Sequence, residues 1–366
     1  MATAPQLVLT DEFKAALRHL DEGDHLFLTG KAGTGKSTLI RKFMSQTDRN
    51  VIVVAPTGIA ALNVDGYTIH RLFSFTAGMS AEHVRSRDYY PRRFAKALNA
   101  LDVLIIDEAS MLRADLFDAL AAALERFGPR PGEPFGGVQI VLVGDLFQLP
   151  PVVAESEGEY FVTRYPTPYF FSADCFASNT FQIAQLTQVF RQAGDSQLID
   201  ILNAIREGSI DEEARRVLNS RTQPAFEPPE HEFWLTLTTT NRIATARNRA
   251  ALERLPGEPH VTEAVITGEL DQTEPPNDKR LEYKTGAQVM LLVNDARDQF
   301  VNGTLGTIIA TATEQGFPIV TIRTRDGNEV DVTPYTWGIT RPTVEGGRIH
   351  QEVVGTFQQL PLDRKS

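Results

Sequence analysis

The sequence has one cysteine in 366 residues, Cys175, which rules out an internal disulfide and any zinc site built on two or more thiolates and fits a reducing compartment. Its seven histidines never fall at the spacing of a helical zinc pair. Long apolar runs are missing as well. Val51 to Ala55 and Val138 to Val143 are among the longest, far below the ~18 residues that span a bilayer. The opening stretch MATAPQLVLTDEFK has no basic segment followed by an apolar one, so no secretory signal is read there and the expectation is a cytoplasmic protein with no membrane contact. Positive charge is not in excess. With 36 basic and 47 acidic residues the net charge is −11, which argues against a nucleic-acid partner unless a cleft carries a locally positive path.

What is present is an ordinary globular composition, 42% apolar and 23% charged, in a chain long enough for two or three domains. From residue 24, short apolar runs alternate with helical patterns: HLFLT, a helix from Lys36, VIVVA, a helix from Thr57, VLIID, a helix over 112–127, then VQIVLVG. That alternation predicts an α/β fold, a parallel sheet with helices on both faces and the chemistry in loops at the carboxyl ends of its strands. Residues 75–100 interrupt it with Arg85, Arg87, Arg92, Arg93 and Lys96 beside Tyr89 and Tyr90, either an insertion with a positive face or a solvated surface helix. A second unit with similar grammar begins near Leu186: SQLIDILNAIREG as a helix, FWLTLTTT as a strand, NRIATARNRAALERL as a helix. From Gln288 short strands take over, with Asn302-Gly303 and Asp326-Gly327 as tight-turn signals.

Gly30-Lys31-Ala32-Gly33-Thr34-Gly35-Lys36-Ser37 is a complete Walker A loop between a strand and a helix. Its glycines let backbone N–H groups converge on phosphate oxygens, and the helix N-terminus adds partial positive charge. Gly30, Gly33, Thr34, Gly35, Lys36, Ser37 and Thr38 are therefore candidate nucleotide contacts, with Lys36 bridging the β- and γ-phosphates and Ser37 on Mg2+. Asp107, ending the strand VLII, suits a Walker B carboxylate holding the metal, and Glu108 suits a general base; such a pair also caps helices. In GDLFQLPP, Gln148 is placed to sense the γ-phosphate, and in VFRQ Arg191 is placed to reach transition-state charge. A guanine-reading Asn-Lys-x-Asp is absent where a GTPase would carry it, the position reading Thr238-Thr239-Thr240-Asn241.

The series from Walker A through DEAS and GDLFQLPPV to VFRQ resembles the superfamily 1B DNA helicases, specifically the Pif (petite integration frequency) family, with RecD helicases as relatives. The resemblance covers most of the chain and implies an ATP-dependent helicase moving 5′ to 3′ on single-stranded DNA, with ATP and Mg2+ as cofactors. It also implies work on forked or tailed duplexes in replication, repair, recombination and telomere maintenance. VVAPTGIAALNVDGYTIHRLF looks like the family's motif Ia, making Thr57, Gly58, Asn63, Thr68 and His70 candidate strand contacts; hydroxyl and amide groups suit phosphates without reading bases. The implied architecture is a RecA-like domain 1A over 1–185 with a 1B wedge near 75–100, a partial RecA-like domain 2A over 186–287, an SH3-like 2B region over 288–357 and a short return to 2A over 358–366.

Two departures stand out. Phe13 occupies the place of an adenine-reading glutamine, which loosens the expected preference for ATP. After QQLPL the family continues into a Leu-Ala-Trp-Ala strand, a His-Lys-Ser-Gln-Gly motif V and a motif VI with a second arginine, whereas this chain stops at Ser366. An arginine of that kind is worth on the order of 10³ to 10⁵ in rate, so the expectation is nucleotide and DNA binding with weak turnover. The rival readings are a non-unwinding module that binds nucleotide and single-stranded DNA, and a motor completed by a partner chain that supplies motifs V and VI.

Overall fold

A computed structural model describes residues 10–363 apart from 65, 77, 191–195, 230–231, 269–274, 296, 298 and 315. Two compact units emerge, residues 1–217 with 342–352 and residues 218–341 with 353–366.

The first is built on six strands, β1 His25–Gly30, β2 Val51–Ala55, β3 Tyr67–Thr68, β4 Val103–Ile106, β5 Gln139–Gly144 and β6 Phe181–Leu186, in the order β3-β2-β4-β5-β1-β6. All neighbours run parallel, as the alternation of strand and helix predicts. The central β4 and β5 are buried at every position, which is why VLII and QIVLVG are continuous rather than alternating. On one face, α1 Asp11–Glu22 and α2 Lys36–Gln46 bury Phe13, Leu20, Leu39 and Phe43 against Leu26, Leu28, Ile105 and Val141. Helix α1 is set by its ends: Thr10 Oγ1 accepts from Phe13 N at 3.1 Å, and Gly23 closes it at φ 87°.

The short helices α3 Gly58–Asn63 and α4 Ile69–Phe73 flank β3, and α5 Ala81–Arg85 and α6 Ala95–Asn99 lie in the basic stretch. Helix α7 Ala114–Phe127 fills the second face and buries ten of its residues. One of them is Asp118, whose carboxylate accepts from Tyr165 OH at 3.0 Å and from the N–H groups of Cys175 at 2.9 Å and Asp174 at 3.2 Å, so the buried charge is satisfied. Helices α8 Gly158–Arg164, α9 Asp174–Ala177, α10 Ser196–Glu207 and α11 Glu212–Ser220 follow. The basic stretch belongs partly to this core: Tyr89 is buried and its hydroxyl donates to Phe73 O at 2.6 Å. Of the tyrosine pair only Tyr90 remains at the surface, so the expected positive, tyrosine-bearing wedge offers one exposed ring rather than two.

The second unit carries α12 Asn241–Arg254 and a set of short strands. Strand β7 His260–Glu263 pairs with β9 Arg280–Tyr283, and β8 Val265–Gly268 joins a long hairpin, β14 Tyr335–Glu345 and β15 Arg348–Gln359, whose tip is grouped with the first unit. Strands β10 Gln288–Leu291, β11 Leu305–Glu314, β12 Phe317–Thr324, β13 Glu329–Val332 and β16 Leu362–Asp363 form a five-stranded antiparallel sheet in the order β13-β12-β11-β10-β16. Its core is Val289, Leu291, Ile308, Val320, Ile322, Val330 and Leu362. The Asp326-Gly327 turn joins β12 to β13 as expected, with Gly327 N donating to Thr324 O at 2.9 Å. Asn302-Gly303 instead ends a longer connection, where Gly303 N donates to Leu291 O at 2.8 Å at the entry to β11. The strand expected at FWLTLTTT does not form: residues 233–238 join no sheet, and Leu237 is 87% exposed. Apolar alternation yields a strand only where a neighbouring strand takes up the backbone hydrogen bonds. Among the described residues no helix is long and apolar enough to cross a membrane.

Candidate nucleotide site

Strand β1 delivers the chain to the phosphate loop and α2 carries it away, the context that the Walker A spacing requires. A Cβ on Gly30 would lie 2.5 Å from Leu186 O and 2.8 Å from Thr34 Oγ1, so only glycine fits where the loop passes β6. Gly35 turns into α2 at φ 94°, in the left-handed region. Thr34 is buried and its hydroxyl donates to Lys31 O at 2.8 Å, tying the loop to itself. The Lys36 ammonium folds back onto that loop, donating to Gly30 O at 2.6 Å and Lys31 O at 3.1 Å. Burial lowers its pKa, against the pull of Asp145, Glu108 and Asp107. Ser37 is exposed and Thr38 half-buried on the first turn of α2.

Asp107 leaves the end of β4 still paired to β2, its N–H donating to Val54 O at 2.9 Å. Its carboxylate accepts from Glu108 N at 2.9 Å, and Glu108 sits at φ 51°, a conformation that a non-glycine residue holds only at some cost. The Glu108 side chain makes no capping bond to the following turn, which removes the ordinary explanation of an acidic pair in this place. Burial raises the pKa of Asp107, and burial followed by the neighbouring Asp107 charge raises that of Glu108. Two crowded carboxylates, with an exposed hydroxyl at Ser37, are a hard oxygen-donor set that fits Mg2+.

Strand β5 ends at Gly144, and the next residue, Asp145, is 3% exposed. Gln148 is exposed, and its Nε2 approaches Asp145 Oδ2 at 3.4 Å. Arg206, on α10, donates to the same oxygen at 2.7 Å. Sequence reading missed this arginine because it sits inside an ordinary amphipathic helix; Asp145 lay in a quoted motif without a role. Arg191 lies outside the described residues. The chain just before it reaches the phosphate loop, where Phe190 N donates to Gly33 O at 3.0 Å.

The residues singled out for DNA lie after β2 and around β3, at the same end of the sheet. Thr57 Oγ1 accepts from Ala60 N at 3.3 Å and Thr68 Oγ1 from Arg71 N at 3.2 Å, so both hydroxyls cap short helices. Gly58 opens α3 and His70 is exposed on α4. The side chain of Asn63 lies outside the described residues.

Comparison with known proteins matches residues 8–216 to a family described as PIF1-like helicase. ATP-dependent DNA helicase PIF1 of Saccharomyces cerevisiae is 33% identical over 318 residues, 83% of this chain, and this chain spans only 36% of that protein's length. ATP-dependent DNA helicase Pif1 of Bdellovibrio bacteriovorus is 30% identical over 371 residues, covering 98% of this chain and 77% of that one. The crystal structure of Bacteroides sp Pif1 in complex with ADP-AlF4 superposes with a TM-score of 0.85 at 32% identity, covering 98% of this chain and 81% of that one. Bacteroides Pif1 bound to ssDNA, with the same identity and coverage, gives 0.64. A RecA-like parallel sheet, a complete phosphate loop facing a Walker B pair, and these matches place the chain in the PIF1-like helicase family.

Proposed function

We propose that this chain hydrolyses ATP and uses the cycle to move 5′ to 3′ along single-stranded DNA, as an ATP-dependent DNA helicase acting on forked or tailed duplexes in the cytoplasm. The observation that carries the reading is the phosphate loop between β1 and α2, closed by Gly35 in the left-handed region and Lys36 folded onto it, at the end of a parallel sheet where β4 is followed by Asp107 and Glu108. In this reading Gly30, Gly33, Thr34, Gly35 and Thr38 cradle the phosphates, and Lys36 exchanges its carbonyl partners for the β- and γ-phosphates. Ser37 and Asp107 would hold Mg2+, which would neutralise phosphate charge. Glu108, its pKa raised by burial, takes the proton of the attacking water. Gln148 meets the terminal phosphate, and Arg191 stabilises the charge that develops there. Thr57, Gly58, Asn63, Thr68 and His70 grip the DNA backbone without reading its bases.

The test is ATP turnover by the 366-residue chain, with and without single-stranded DNA, beside Lys36→Ala. DNA-stimulated turnover, weak but abolished in Lys36→Ala, is the expected result, and a 5′-tailed duplex then asks whether the same chain unwinds. Turnover unaffected by Lys36→Ala would overturn it. Adding a second chain that carries a His-Lys-Ser-Gln-Gly segment asks whether unwinding needs motifs V and VI in trans.

A further inference from the structure

The last turn of α10 meets two loops of the nucleotide site. Arg206 Nη1 donates to Asp145 Oδ2 at 2.7 Å, and the guanidinium carbon lies 4.2 Å from the centroid of the Phe147 ring. One residue on, the Glu207 carboxylate is 3.5 Å from Lys31 Nζ on the phosphate loop. The two pairs are not equivalent. Asp145 and Arg206 have side chains 3% and 18% exposed, whereas Glu207 is 62% exposed, so water screens the second pair far more than the first.

Asp145 organises its loop through both oxygens. Oδ1 accepts from Phe147 N at 3.2 Å, and Oδ2 takes Gln148 Nε2 at 3.4 Å in addition to Arg206. The Gln148 contact is at the long limit of a hydrogen bond, and Phe147 is 66% exposed with the Arg206 guanidinium stacked on its ring. Burial alone would push the Asp145 carboxyl up; the Arg206 hydrogen bond and the Phe147 N–H bring it below its ordinary value. Removing Arg206 would leave a buried charge with two marginal donors, and the loop would have to turn to solvate it.

We propose that Arg206 is a positioning residue of the nucleotide site: through Asp145 and Phe147 it holds the 145–148 loop so that Gln148 faces the terminal phosphate, and it fastens that loop to α10. The inference rests on the reading of this site as a nucleoside triphosphatase.

The experiment measures ATP turnover with Mg2+ and single-stranded DNA, binding of a fluorescent ADP, and thermal unfolding, all on the full chain. It compares wild type with Lys36→Ala, Arg206→Ala, Arg206→Lys, Asp145→Asn and the Asp145→Asn/Arg206→Ala double variant. Arg206→Ala should lower kcat about 10²-fold, the usual consequence of misplacing an active-site group by an ångström, with KM and ADP affinity nearly unchanged. Arg206→Lys should recover only part, because lysine keeps the charge but neither forks nor stacks. The double variant should lose no more than the worse single one, since both act through the same contact. If Arg206→Ala does not fold, Arg206→Lys and Asp145→Asn carry the test. Turnover near wild type in Arg206→Ala, with Lys36→Ala inactive, overturns this inference and leaves the triphosphatase reading standing. Loss of ADP binding together with thermal stability in both arginine variants overturns it in favour of a structural role. Wild-type turnover that Lys36→Ala leaves intact removes the triphosphatase reading itself, and this inference with it.

Discussion

Helices α7 and α12 are both fourteen residues long, yet α7 buries ten of its residues and α12 none. Alanine, leucine and phenylalanine cover most of α7, so whichever way it turns it meets the core. Helix α12 carries Arg242, Arg247, Arg249 and Arg254 on a frame that is apolar only at Ile243, Leu252 and its alanines. Both segments read as helices for the same local reasons; what separates them is whether tertiary packing then holds the helix in place. The distinction extends to chemistry. The phosphate loop, Asp107, Glu108 and Asp145 follow the ends of strands that the α1, α2 and α7 layers seal from water, so their groups are anchored to the best-packed part of the molecule.

The sharpest way to break that contrast is to cut each helix at its largest apolar contact. Phe117, fully buried in α7, packs against the rings of Phe135, Phe170 and Phe181, and Phe117→Ala should cost about 3 to 5 kcal/mol in urea unfolding. Ile243 in α12 is 40% exposed, and Ile243→Ala should cost less than about 1 kcal/mol. Equal losses would mean that α12 is packed in solution. The next effect is expected at the seam between sheet and phosphate loop. Gly30→Ala drives a Cβ into the Leu186 carbonyl, backbone that cannot swing aside, and should destabilise by about 1 to 3 kcal/mol and weaken binding of a fluorescent ADP.

Sequence made the phosphate loop and the Asp107-Glu108 pair legible because backbone geometry fixes both over a few consecutive residues. The four inner strands of the sheet, β1, β2, β4 and β5, were legible for a similar reason, being short apolar runs, whereas the two edge strands, β3 and β6, went unread. The Arg206–Asp145 pair was not, because its partners are 61 residues apart and nothing local marks either one. Tyr89 misled in the other direction: beside four arginines and a lysine it reads as surface, but its ring packs against Phe75 and Phe127 and its hydroxyl reaches the Phe73 carbonyl. FWLTLTTT shows the limit of alternation, which specifies a face but not a partner. The Gly346-Gly347 turn between β14 and β15 went unread although both residues adopt positive φ, 56° and 76°, as a two-residue hairpin demands.

Cys175 gives a smaller effect with a defined sign. Burial and then the Asp118 carboxylate push its thiol pKa well above the ordinary range, so the folded protein keeps a neutral thiol where the unfolded chain ionises. That contribution to stability is complete below the unfolded thiol's pKa, about 8.5, and is lost as pH rises from there toward the folded value. Cys175→Ala should therefore flatten the decline in unfolding free energy above about pH 8.5. Native protein should also react with a thiol reagent more than about tenfold more slowly than urea-unfolded protein.

The smallest effect reverses the logic of Gly30. Gly158 opens α8 at φ −57° and ψ −44°, an ordinary right-handed helical position, and a Cβ there meets nothing within 4 Å. Alanine then keeps the folded backbone as it is and removes conformations only from the unfolded chain. Gly158→Ala should stabilise by about 0.4 to 1 kcal/mol, seen as a raised urea midpoint at unchanged slope. A loss instead would mean that α8 packs against something in solution at a place where its surface is open here. The same added methyl group therefore has opposite signs at Gly30 and Gly158, and the sign reports whether the surrounding backbone is closed or open.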